Sequence, residues 1–386
     1  MKKKIAILGS TGSIGKTTIE ILKKNKDKYN VVLLTTNINI NELIKQAKFF
    51  NVRNLIVIDK KKFNLLKKKL INKKINIFND FNSFDKIFNN KIDYTMSSIS
   101  GLDGLKPTLD IIKFTKKIAI ANKESIICGW NLINKKLIKY KTTFIPVDSE
   151  HFSIWSLINN SNINKIDEII ITASGGPFLK TPVKNLKNVT IDQALKHPNW
   201  SMGKKISIDS ATMMNKVFEV IEAQKIFNMP IQKFKILIHP KSYLHAIVRF
   251  NNGLIKMLIH DTNMSIPIFN SINDTDEIKT NKIDYSILNN LSLSLISKDK
   301  YPSIKILENL DSRNSLYETA IVSANDELVN LFINKKIKFT DISKNLEKIL
   351  NYKEILKFKH KSPKNFQEII SFSKYVRLKT LEYCIS

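Results

Sequence analysis

The sequence is poor in cysteine and has no long apolar run. Its two cysteines, Cys128 and Cys384, offer no disulfide framework, which is typical of proteins in a reducing cytoplasm. No apolar run approaches the ~20 residues that a membrane helix needs, and the apolar residues 5–8 behind the basic N-terminus are too few for a signal peptide. We therefore expect a cytoplasmic protein without a membrane segment, and its 386 residues predict two or three domains.

Acidic residues are scarce beside basic ones, 34 against 63, so the net charge is +29. Such a charge raises the hypothesis of nucleic-acid binding. The lysines are spread along the whole chain, however, and no zinc-finger spacing, heptad zipper or aromatic RNA-binding motif occurs. We interpret the charge as solvated surface that can favour anionic small molecules. We expect no nucleic-acid partner, and a nucleic-acid-binding protein remains the alternative from a different class.

Glycine is also rare, and three of the ten glycines fall in one turn, at Gly9, Gly12 and Gly15. The turn lies between a predicted buried strand over residues 4–8 and a predicted amphipathic helix over residues 16–25. At such a position, backbone N–H groups and the helix dipole face an anion. The spacing is a variant of the dinucleotide fingerprint, which predicts a dinucleotide cofactor at this turn.

A rival interpretation of the same turn is an ATP-binding loop. The run from Ser10 to Gly15, Lys16 and Thr17 differs from the P-loop pattern only in its first glycine. Gly9 stands one place too early for that pattern. We therefore favour the dinucleotide over the nucleoside triphosphate.

The second predicted strand, residues 30–36, ends in a turn without acidic or basic residues. An NAD-binding protein usually has Asp or Glu here to bind the ribose 2′-hydroxyl, but no acid occurs before Glu42. The absence of that acid removes a repulsion against a 2′-phosphate. The turn, with Asn37 and Asn39 as candidate cofactor-binding residues, therefore favours NADP over NAD.

Strands and helices continue to alternate. Strands are predicted over residues 54–59, 94–98 and 117–121, with a helix over residues 105–114. This alternation predicts a doubly wound parallel sheet that binds ligands at the carboxyl ends of its strands. Asn122, Lys123 and Glu124 follow such an end and are candidate site residues.

Two acidic residues, Asp148 and Glu150, follow a predicted buried strand over residues 142–147. If the extended backbone continues through them, both side chains point to one side, because residues two apart in a strand share a face. Two converging carboxylates are suitable ligands for Mg²⁺ or Mn²⁺. The simpler interpretation is a solvated strand end.

A later predicted helix offers a third carboxylate. With Asp209 or Ser210 as N-cap, Asn215, Glu219 and Glu222 lie along one helical stripe. Glu219 could complete the metal site, and the alternative is a solvated polar face.

The middle of the chain contains two irregular segments with polar side chains. Ser174 and two glycines follow a predicted strand over residues 168–172, forming a turn that could bind an anion. Residues 196–204 combine His197 and Trp200 with proline and glycine, which is typical of a surface loop or of a lid over a pocket.

The remaining patterns set the expected domain organisation. A hairpin over residues 246–259 indicates an α+β middle region, and helices are predicted over residues 316–333 and 341–350. We expect an NADPH-binding domain over residues 1–148 and a catalytic domain over 149–283 with a lid near 194–205. A linker over 284–311 and a C-terminal helical domain over 312–386 would complete an α/β protein whose N-terminal sheet is Rossmann-like.

Six motifs in this order resemble the 1-deoxy-D-xylulose 5-phosphate reductoisomerase family. Their chain positions are residues 9–15 (Gly-Ser-Thr-Gly-Ser-Ile-Gly), 121–125 (Ala-Asn-Lys-Glu-Ser), 146–151 (Pro-Val-Asp-Ser-Glu-His), 174–178 (Ser-Gly-Gly-Pro-Phe), 197–203 (His-Pro-Asn-Trp-Ser-Met-Gly) and 209–216 (Asp-Ser-Ala-Thr-Met-Met-Asn-Lys). The resemblance extends nearly from end to end and is weakest after about residue 273.

The resemblance implies a role for each motif residue. The implied metal ligands are Asp148, Glu150 and Glu219, which with Lys123 and His197 would serve catalysis. The implied substrate-binding residues are Lys123, Ser149, Glu150, Ser174, His197, Trp200, Ser210, Asn215, Lys216 and Glu219. The implied NADPH contacts are Thr11, Gly12, Ser13, Ile14, Asn122, Glu124 and Gly203, to which the sequence pattern adds Gly9, Asn37 and Asn39. Trp200 and Met202 would belong to the lid.

The family implies a homodimer and a defined reaction on a sugar phosphate. A divalent ion, Mn²⁺ or Mg²⁺, would hold the substrate's oxygens during a skeletal rearrangement to an aldehyde. NADPH would then reduce the aldehyde to 2-C-methyl-D-erythritol 4-phosphate. The main alternative is another NADP-dependent dehydrogenase on the same scaffold. One departure concerns the turn after the second strand, where relatives commonly carry Gly-Lys-Asn or a similar basic turn and this chain has Asn37, Ile38 and Asn39. The preference for NADPH over NADH should therefore be smaller in this protein than in its relatives.

Overall fold

The computed structural model describes residues 1–70, 74–158, 161–200, 202–273, 277, 286, 288–289, 291–310 and 314–385. It divides into two compact units, of which the first comprises Met1–Asp148 and Met264–Ile278 and the second comprises Ser149–Asn263 and Lys279–Ser386. Residues 284–285, 287, 290 and 311 of the predicted linker lie outside the described residues, as does Ser201 of the predicted lid. Within the described residues, no helix combines the length and apolar character needed to span a bilayer.

The first unit is built on a parallel sheet of seven strands in the order β4-β3-β2-β1-β5-β6-β7. These strands are β1 (Lys3–Leu8), β2 (Tyr29–Thr36), β3 (Asn54–Val57), β4 (Asn76–Phe78), β5 (Ile92–Ser97), β6 (Thr115–Ile120) and β7 (Thr143–Pro146). The helices of this unit are α1 (Ser13–Lys24), α2 (Ile40–Phe50), α3 (Lys60–Lys69), α4 (Phe84–Ile87), α5 (Leu105–Ile111), α6 (Lys123–Tyr140) and, later in the chain, α11 (Ser265–Ile272). The predicted Rossmann-like sheet is confirmed.

The strand order reverses beside β1, because β2 and β5 flank it on opposite sides. A ligand of a doubly wound sheet binds at such a switch point, outside the carboxyl ends of the strands. The loops that follow β1 and β5 approach each other closely there. A side chain at Gly9, whose φ is +81°, would lie 2.9 Å from the Ser98 carbonyl oxygen. Glycine at this position therefore allows the two loops to meet.

The second unit contains a mixed five-stranded sheet in the order β11-β10-β8-β9-β12. Its strands are β8 (Ile166–Ala173), β9 (Phe234–Ile238), β10 (Leu244–Phe250), β11 (Ile255–Ile259) and β12 (Ser294–Leu295). Strand β8 pairs with β9 in parallel and with β10 in antiparallel orientation. The hairpin from β10 to β11 agrees with the sequence prediction, since alternating apolar residues flank the turn Asn251-Asn252-Gly253.

Helices make up the rest of the second unit. They are α7 (Ser149–Ile158), α8 (Ile191–Leu195), α9 (Lys204–Ala211), α10 (Met214–Phe227), α12 (Leu316–Ile333), α13 (Phe339–Leu350), α14 (Lys353–Leu356) and α15 (Phe366–Ile385). Short 3₁₀ turns in the two units cover Lys26–Lys28, Phe81–Ser83, Leu102–Gly104, Ile112–Phe114, Ile163–Lys165, Val183–Asn188, Ile231–Lys233 and Pro302–Asn309. Helix α12 is buried along most of its length and packs against α13 and α15. The predicted helical C-terminal region is therefore present.

Two local predictions were wrong. The strand before the acidic pair ends at Pro146 and helix α7 begins at Ser149, so the backbone does not stay extended through Glu150. Asp209 and Ser210 do not cap the helix of Glu219, because they lie inside a separate helix, α9. Met213, with φ of +64°, reverses the chain before α10 begins. Each of these turns depends on contacts that local sequence periodicity does not encode.

Candidate active site

The clustered carboxylates come from two helices and the residue that precedes one of them. Glu150 lies in the first turn of α7 and Glu219 on α10, and both are buried. The Nε2 atom of His151 donates to the carbonyl oxygen of Glu219 at 2.8 Å, which ties α7 to α10. Asp148 is joined by a peptide bond to Ser149, the first residue of α7. One carboxylate oxygen from each of Asp148, Glu150 and Glu219 lies within 4.8 Å of the others.

Ammonium groups lie against this carboxylate group. The Nζ atom of Lys216 is 2.6 Å from Glu150 Oε1 and 2.5 Å from Glu219 Oε2, while Lys123 Nζ is 2.5 Å from Asp148 Oδ2. Burial disfavours the Lys216 ammonium, but the charges of Glu150 and Glu219 outweigh burial and raise the pKa of Lys216. The Lys216 ammonium therefore supplies positive charge directly beside Glu150 and Glu219. Hard oxygen ligands at this spacing suit Mg²⁺ or Mn²⁺.

Helix α10 presents a second polar group beside Glu219. The Asn215 side-chain amide, one turn earlier, donates from Nδ2 to Glu219 Oε1. Its Oδ1 atom is buried and has no hydrogen-bond partner among the described residues. An orphaned buried acceptor of this kind is expected where a ligand donates a hydrogen bond.

Ser174 and His197, two expected substrate-binding residues, are in direct contact. His197 Nδ1 accepts the backbone N–H groups of Asn199 at 3.2 Å and Trp200 at 3.0 Å, so the ring proton of the neutral imidazole is on Nε2. Nε2 lies 3.0 Å from Ser174 Oγ, which also accepts the N–H of Gly176 at 3.0 Å. With two bonds accepted, the Ser174 hydroxyl keeps its own proton to donate, as an anion-binding site requires.

The glycine pair after β8 brings its loop against α9. Gly176 has φ of +66°, and a side chain there would come within 2.8 Å of the Ser210 carbonyl oxygen. The Tyr301 hydroxyl donates to the Gly175 carbonyl at 2.7 Å from the other side. The Ser174 loop therefore lies next to Ser210, because its backbone at Gly176 packs directly on the backbone of α9.

The predicted lid segment, residues 194–205, is anchored at its centre. Asn199 Nδ2 donates to the Pro240 carbonyl at 2.6 Å and to Ser242 Oγ at 2.9 Å. Trp200 meets the ring of His245 edge-on, with the centroids 6.4 Å apart. Gly203 is exposed, precedes α9 and accepts the N–H of Ser207 at 3.1 Å.

His245 and His260 were missed by the sequence analysis. Their rings stack with centroids 3.7 Å apart, and both side chains are buried. Burial first, and then the charge of His260, lower the pKa of His245 to about 4. Likewise, burial and then the charge of Lys216 lower the pKa of His197 to about 4. The chain has only six histidines, so their scarcity was the available signal.

In the first unit, the glycine turn that is predicted to bind phosphate lies at the start of α1. No side chain caps this helix, and no acidic residue lies in its first turn. The Thr11 and Thr36 hydroxyls are 2.7 Å apart, and Gly9 N–H donates to Thr35 Oγ1 at 2.8 Å, which fixes the loop over β2. Gly12 and Ser13 are exposed beside Ile14, so backbone N–H groups at this helix end are accessible to an anion.

Other predicted cofactor-binding residues have structural contacts of their own. The Asn122 side chain donates to the carbonyls of Ile99 and Gly101 and accepts the N–H of Ser125 at 2.6 Å as the N-cap of α6. Both N–H groups of its amide are therefore committed within the protein, and the second lone pair of Oδ1 and the backbone are left for a hydrogen bond to a cofactor. Glu124 lies in the first turn of α6.

The turn after β2 is exposed at both asparagines. Asn39 Oδ1 caps α2 by accepting the N–H of Glu42 at 3.2 Å, and the Asn37 carbonyl accepts the N–H of Asp59 at 3.2 Å. The Asn37 side chain and the Asn39 amide nitrogen are the polar groups that remain for a ligand.

Three family models match the chain. The model described as 1-deoxy-D-xylulose 5-phosphate reductoisomerase matches residues 5–129. The model described as the C-terminal domain of that enzyme matches residues 144–227, and a further model, the DXP reductoisomerase C-terminal domain, matches residues 260–379.

Individual relatives agree with these models. A protein of Pelagibacter ubique (strain HTCC1062) with the name 1-deoxy-D-xylulose 5-phosphate reductoisomerase is 61% identical over 381 residues, 98% of each chain. The solved structure of the Zymomonas mobilis enzyme in complex with NADPH has a TM-score of 0.89 and 32% identity, and the match covers 100% of both chains. A structure of the reductoisomerase with NADPH, fosmidomycin and magnesium has a TM-score of 0.90 and 29% identity, over 99% of this chain and 98% of that one.

We expect the free energy of unfolding to decrease as the pH drops from about 6.5 to about 4. His197 and His245 have a folded-state pKa of about 4, below the ordinary 6.5, so the unfolded chain takes up protons first in this window. Each histidine contributes a slope of at most about 1.4 kcal/mol per pH unit. Urea denaturation across the window measures the slope.

The variant His197→Gln should flatten this dependence, whereas His360→Gln, at an exposed histidine, should leave it unchanged. An unaltered slope in His197→Gln would contradict the prediction.

Proposed function

The chain belongs to the 1-deoxy-D-xylulose 5-phosphate reductoisomerase family, and on this premise we propose that Asp148, Glu150 and Glu219 bind its divalent metal ion. The enzyme converts 1-deoxy-D-xylulose 5-phosphate into 2-C-methyl-D-erythritol 4-phosphate in the non-mevalonate isoprenoid pathway, with NADPH as the reductant. The observation that carries the proposal is the carboxylate group, whose ligand oxygens lie within 4.8 Å of one another.

The carboxylates fit a divalent cation by charge and by ligand type. Oxygen donors that are ionised and partly buried are the ligands that Mg²⁺ and Mn²⁺ prefer. When bound, the ion would act as a Lewis acid on the substrate's carbonyl and hydroxyl oxygens. With Glu150 and Glu219 committed to the ion, the Lys216 ammonium would turn to the substrate.

We propose that Ser174, Ser210, Asn215 and Lys216 bind the substrate, several of them at its phosphate. Ser174 has its hydroxyl proton to donate, and Asn215 Oδ1 accepts nothing from the described residues. His197 holds Ser174 in this orientation as a neutral imidazole. Ser149 donates to Glu150 Oε2 at 2.5 Å and so orients a metal ligand as well as lining the site.

Lys123 and the lid complete the proposed catalytic groups. The ammonium of Lys123 compensates the charge of Asp148 and would stabilise negative charge that develops on substrate oxygens. His197 and Trp200 belong to a segment that we propose closes on the substrate with Met202 and excludes water. The anchor at Asn199 fixes the middle of this segment, so closure would move the residues on either side of it.

For NADPH, we propose contacts at Gly9, Thr11, Gly12, Ser13 and Ile14. The uncapped N-terminus of α1 would bind the pyrophosphate through backbone N–H groups. NADPH supplies the hydride. The further proposed contacts are Asn37, Asn39, Asn122, Glu124 and Gly203.

The metal centre is tested by NADPH oxidation in the presence of 1-deoxy-D-xylulose 5-phosphate. We expect EDTA to abolish turnover and Mn²⁺ or Mg²⁺ to restore it. Glu219→Gln should lower kcat/KM by at least about 100-fold, because even residues that only orient metal ligands can reach this loss. Calorimetry of Mn²⁺ binding provides a readout independent of activity.

Glu222→Gln is the matched control, since Glu222 is equally buried on α10 and lies outside the carboxylate group. Turnover that resists EDTA would point to another dehydrogenase on this scaffold. Equal Mn²⁺ affinity in Glu219→Gln and the unaltered enzyme would remove Glu219 from the metal site.

We predict that kcat/KM is higher with NADPH than with NADH. Ile38→Lys should increase the ratio of the two kcat/KM values a few-fold, because the new lysine would form an exposed ion pair with the 2′-phosphate. Ile38 is exposed and takes the place of the family's lysine. Leu65→Lys, at an exposed position of α3, adds the same charge elsewhere and should not change the ratio. A larger kcat/KM with NADH would refute the preference.

We further propose that the enzyme is a cytoplasmic homodimer that pairs through β11. Both cysteines are free thiols, as expected in a reducing compartment. Strand β11 is at one edge of its sheet, and its Ile255 and Met257 and the preceding Leu254 are exposed apolar residues. An exposed apolar edge strand of this kind can pair with the same edge of a second chain.

Light scattering should therefore give twice the chain mass of 44.4 kDa. Ile255→Lys should shift the protein toward monomer, whereas Leu295→Lys at the opposite edge strand should not. A monomeric unaltered protein would refute the dimer, and dissociation by Leu295→Lys alone would move the interface to β12.

A further inference from the structure

The helix that carries Ser210 is held from within the second unit by the C-terminal helices. Asp209 on α9 is buried, and both of its carboxylate oxygens have partners. Oδ1 accepts from Asn325 Nδ2 on α12 at 2.8 Å, and Oδ2 lies 2.9 Å from Lys205 Nζ. Asn325 is fully buried, so no solvent can replace this hydrogen bond.

Lys205 extends the contact to a further helix. Its Nζ atom lies 3.1 Å from Asp326 Oδ1, and Asp326 Oδ2 accepts from Arg377 Nη2 on α15 at 2.6 Å. The same ammonium lies over the ring of Phe218 on α10, 5.0 Å from its centroid. Side chains of α9 thus connect the site helix α10 to α12 and α15.

The charge of Asp209 depends on these partners. Burial raises its pKa, while Lys205 and the Asn325 amide act in the opposite direction and Asp326 adds to the increase. A buried carboxylate that loses a partner is costly. The helix would relax to find solvent or another donor.

The position of this network relates it to the substrate site. Ser210 is the next residue after Asp209, and its carbonyl is packed against Gly176 of the Ser174 loop. The Met213 reversal and the start of α10 follow within a few residues. A shift of Asp209 would therefore move Ser210 relative to Ser174 and Asn215.

We propose that Asp209, Asn325 and Lys205 are positioning residues that set the geometry of the substrate's phosphate site, so that the C-terminal helices take part in substrate binding. This inference rests on the proposed function, because it takes Ser210 and Ser174 as phosphate-binding residues. None of the three residues is proposed to touch the substrate.

A purely structural role would affect stability without affecting substrate affinity. The chain provides a matched control for that alternative. Ser323 on α12 is also fully buried and shares a side-chain hydrogen bond of 2.7 Å with Ser373 on α15, away from α9. Ser323→Ala and Asn325→Ala each remove one buried hydrogen bond from the same helix.

We expect Asn325→Ala to raise KM for 1-deoxy-D-xylulose 5-phosphate roughly tenfold, as for loss of a buried hydrogen bond to a charged group. The KM for NADPH and kcat should change less than about twofold, because the coenzyme and metal residues keep their contacts. Ser323→Ala should lower the melting temperature without changing the substrate KM. Equal KM values in the two variants would refute the inference.

Exchanging the amide and the carboxylate between positions 325 and 209 provides a second test if Asn325→Ala folds poorly. In Asn325→Asp, two buried carboxylates face each other, and Asp326 lies nearby with Lys205 and Arg377 as the available cations. The substrate KM should then increase as the pH rises and their shared proton is lost. Adding Asp209→Asn restores one amide and one carboxylate, and should return KM and its pH profile toward those of the unaltered enzyme.

If the double variant does not restore the substrate KM, the proposed role of the hydrogen bond between Asp209 and Asn325 is refuted. Assays of the unaltered enzyme distinguish failure of the proposed function from failure of the positioning role. Absence of turnover of 1-deoxy-D-xylulose 5-phosphate would refute the proposed function and this inference with it. Turnover by the unaltered enzyme, with an unchanged KM in Asn325→Ala, would refute the positioning role alone.

Discussion

The site depends on one buried positive charge. Lys216 places its ammonium between Glu150 and Glu219, which belong to different helices and would otherwise repel each other. Removing one partner from a buried ion pair typically costs about 3–5 kcal/mol, because the remaining charge is left uncompensated. The same ammonium holds the two carboxylate groups close together, in the arrangement that we propose for binding a divalent ion. Stabilisation of the fold and preparation of the proposed metal site therefore have the same physical origin.

Close backbone packing gives the site its second constraint. Gly176 allows the Ser174 loop to lie directly on α9, and the Met213 reversal allows α10 to begin immediately beyond it. The Ser174 loop therefore packs on the backbone of α9 at Ser210, because no side chain separates the two. The hydrogen bond from Asn325 to Asp209 in turn ties α9 to α12. The phosphate site that we propose, built from serine hydroxyls and backbone, requires such rigid support, since each donor has little reach of its own.

The sequence analysis was most successful where function imposes a local pattern. Gly9, Gly12 and Gly15 indicated a dinucleotide-binding turn, because a tight turn before a helix needs glycine regardless of what packs around it. The six motifs identified the family, and their order allowed roles to be expected for individual residues. Periodicity did not show that α9 and α10 are separate helices, since an apolar face continues across the break. It also could not show that Asn122 uses its side chain as a cap and loop anchor.

By itself, the sequence determined the parallel sheet with its dinucleotide turn, the candidate ligands and the family, because these follow from local backbone chemistry and from motif spacing. Only the tertiary structure decided how those ligands are held. It placed Lys216 between two carboxylates, stacked His260 on His245 and joined Asp209 to a helix more than a hundred residues away. Such contacts form between residues distant in the chain. Their energies depend on burial and on mutual distance, which no local pattern of residues specifies.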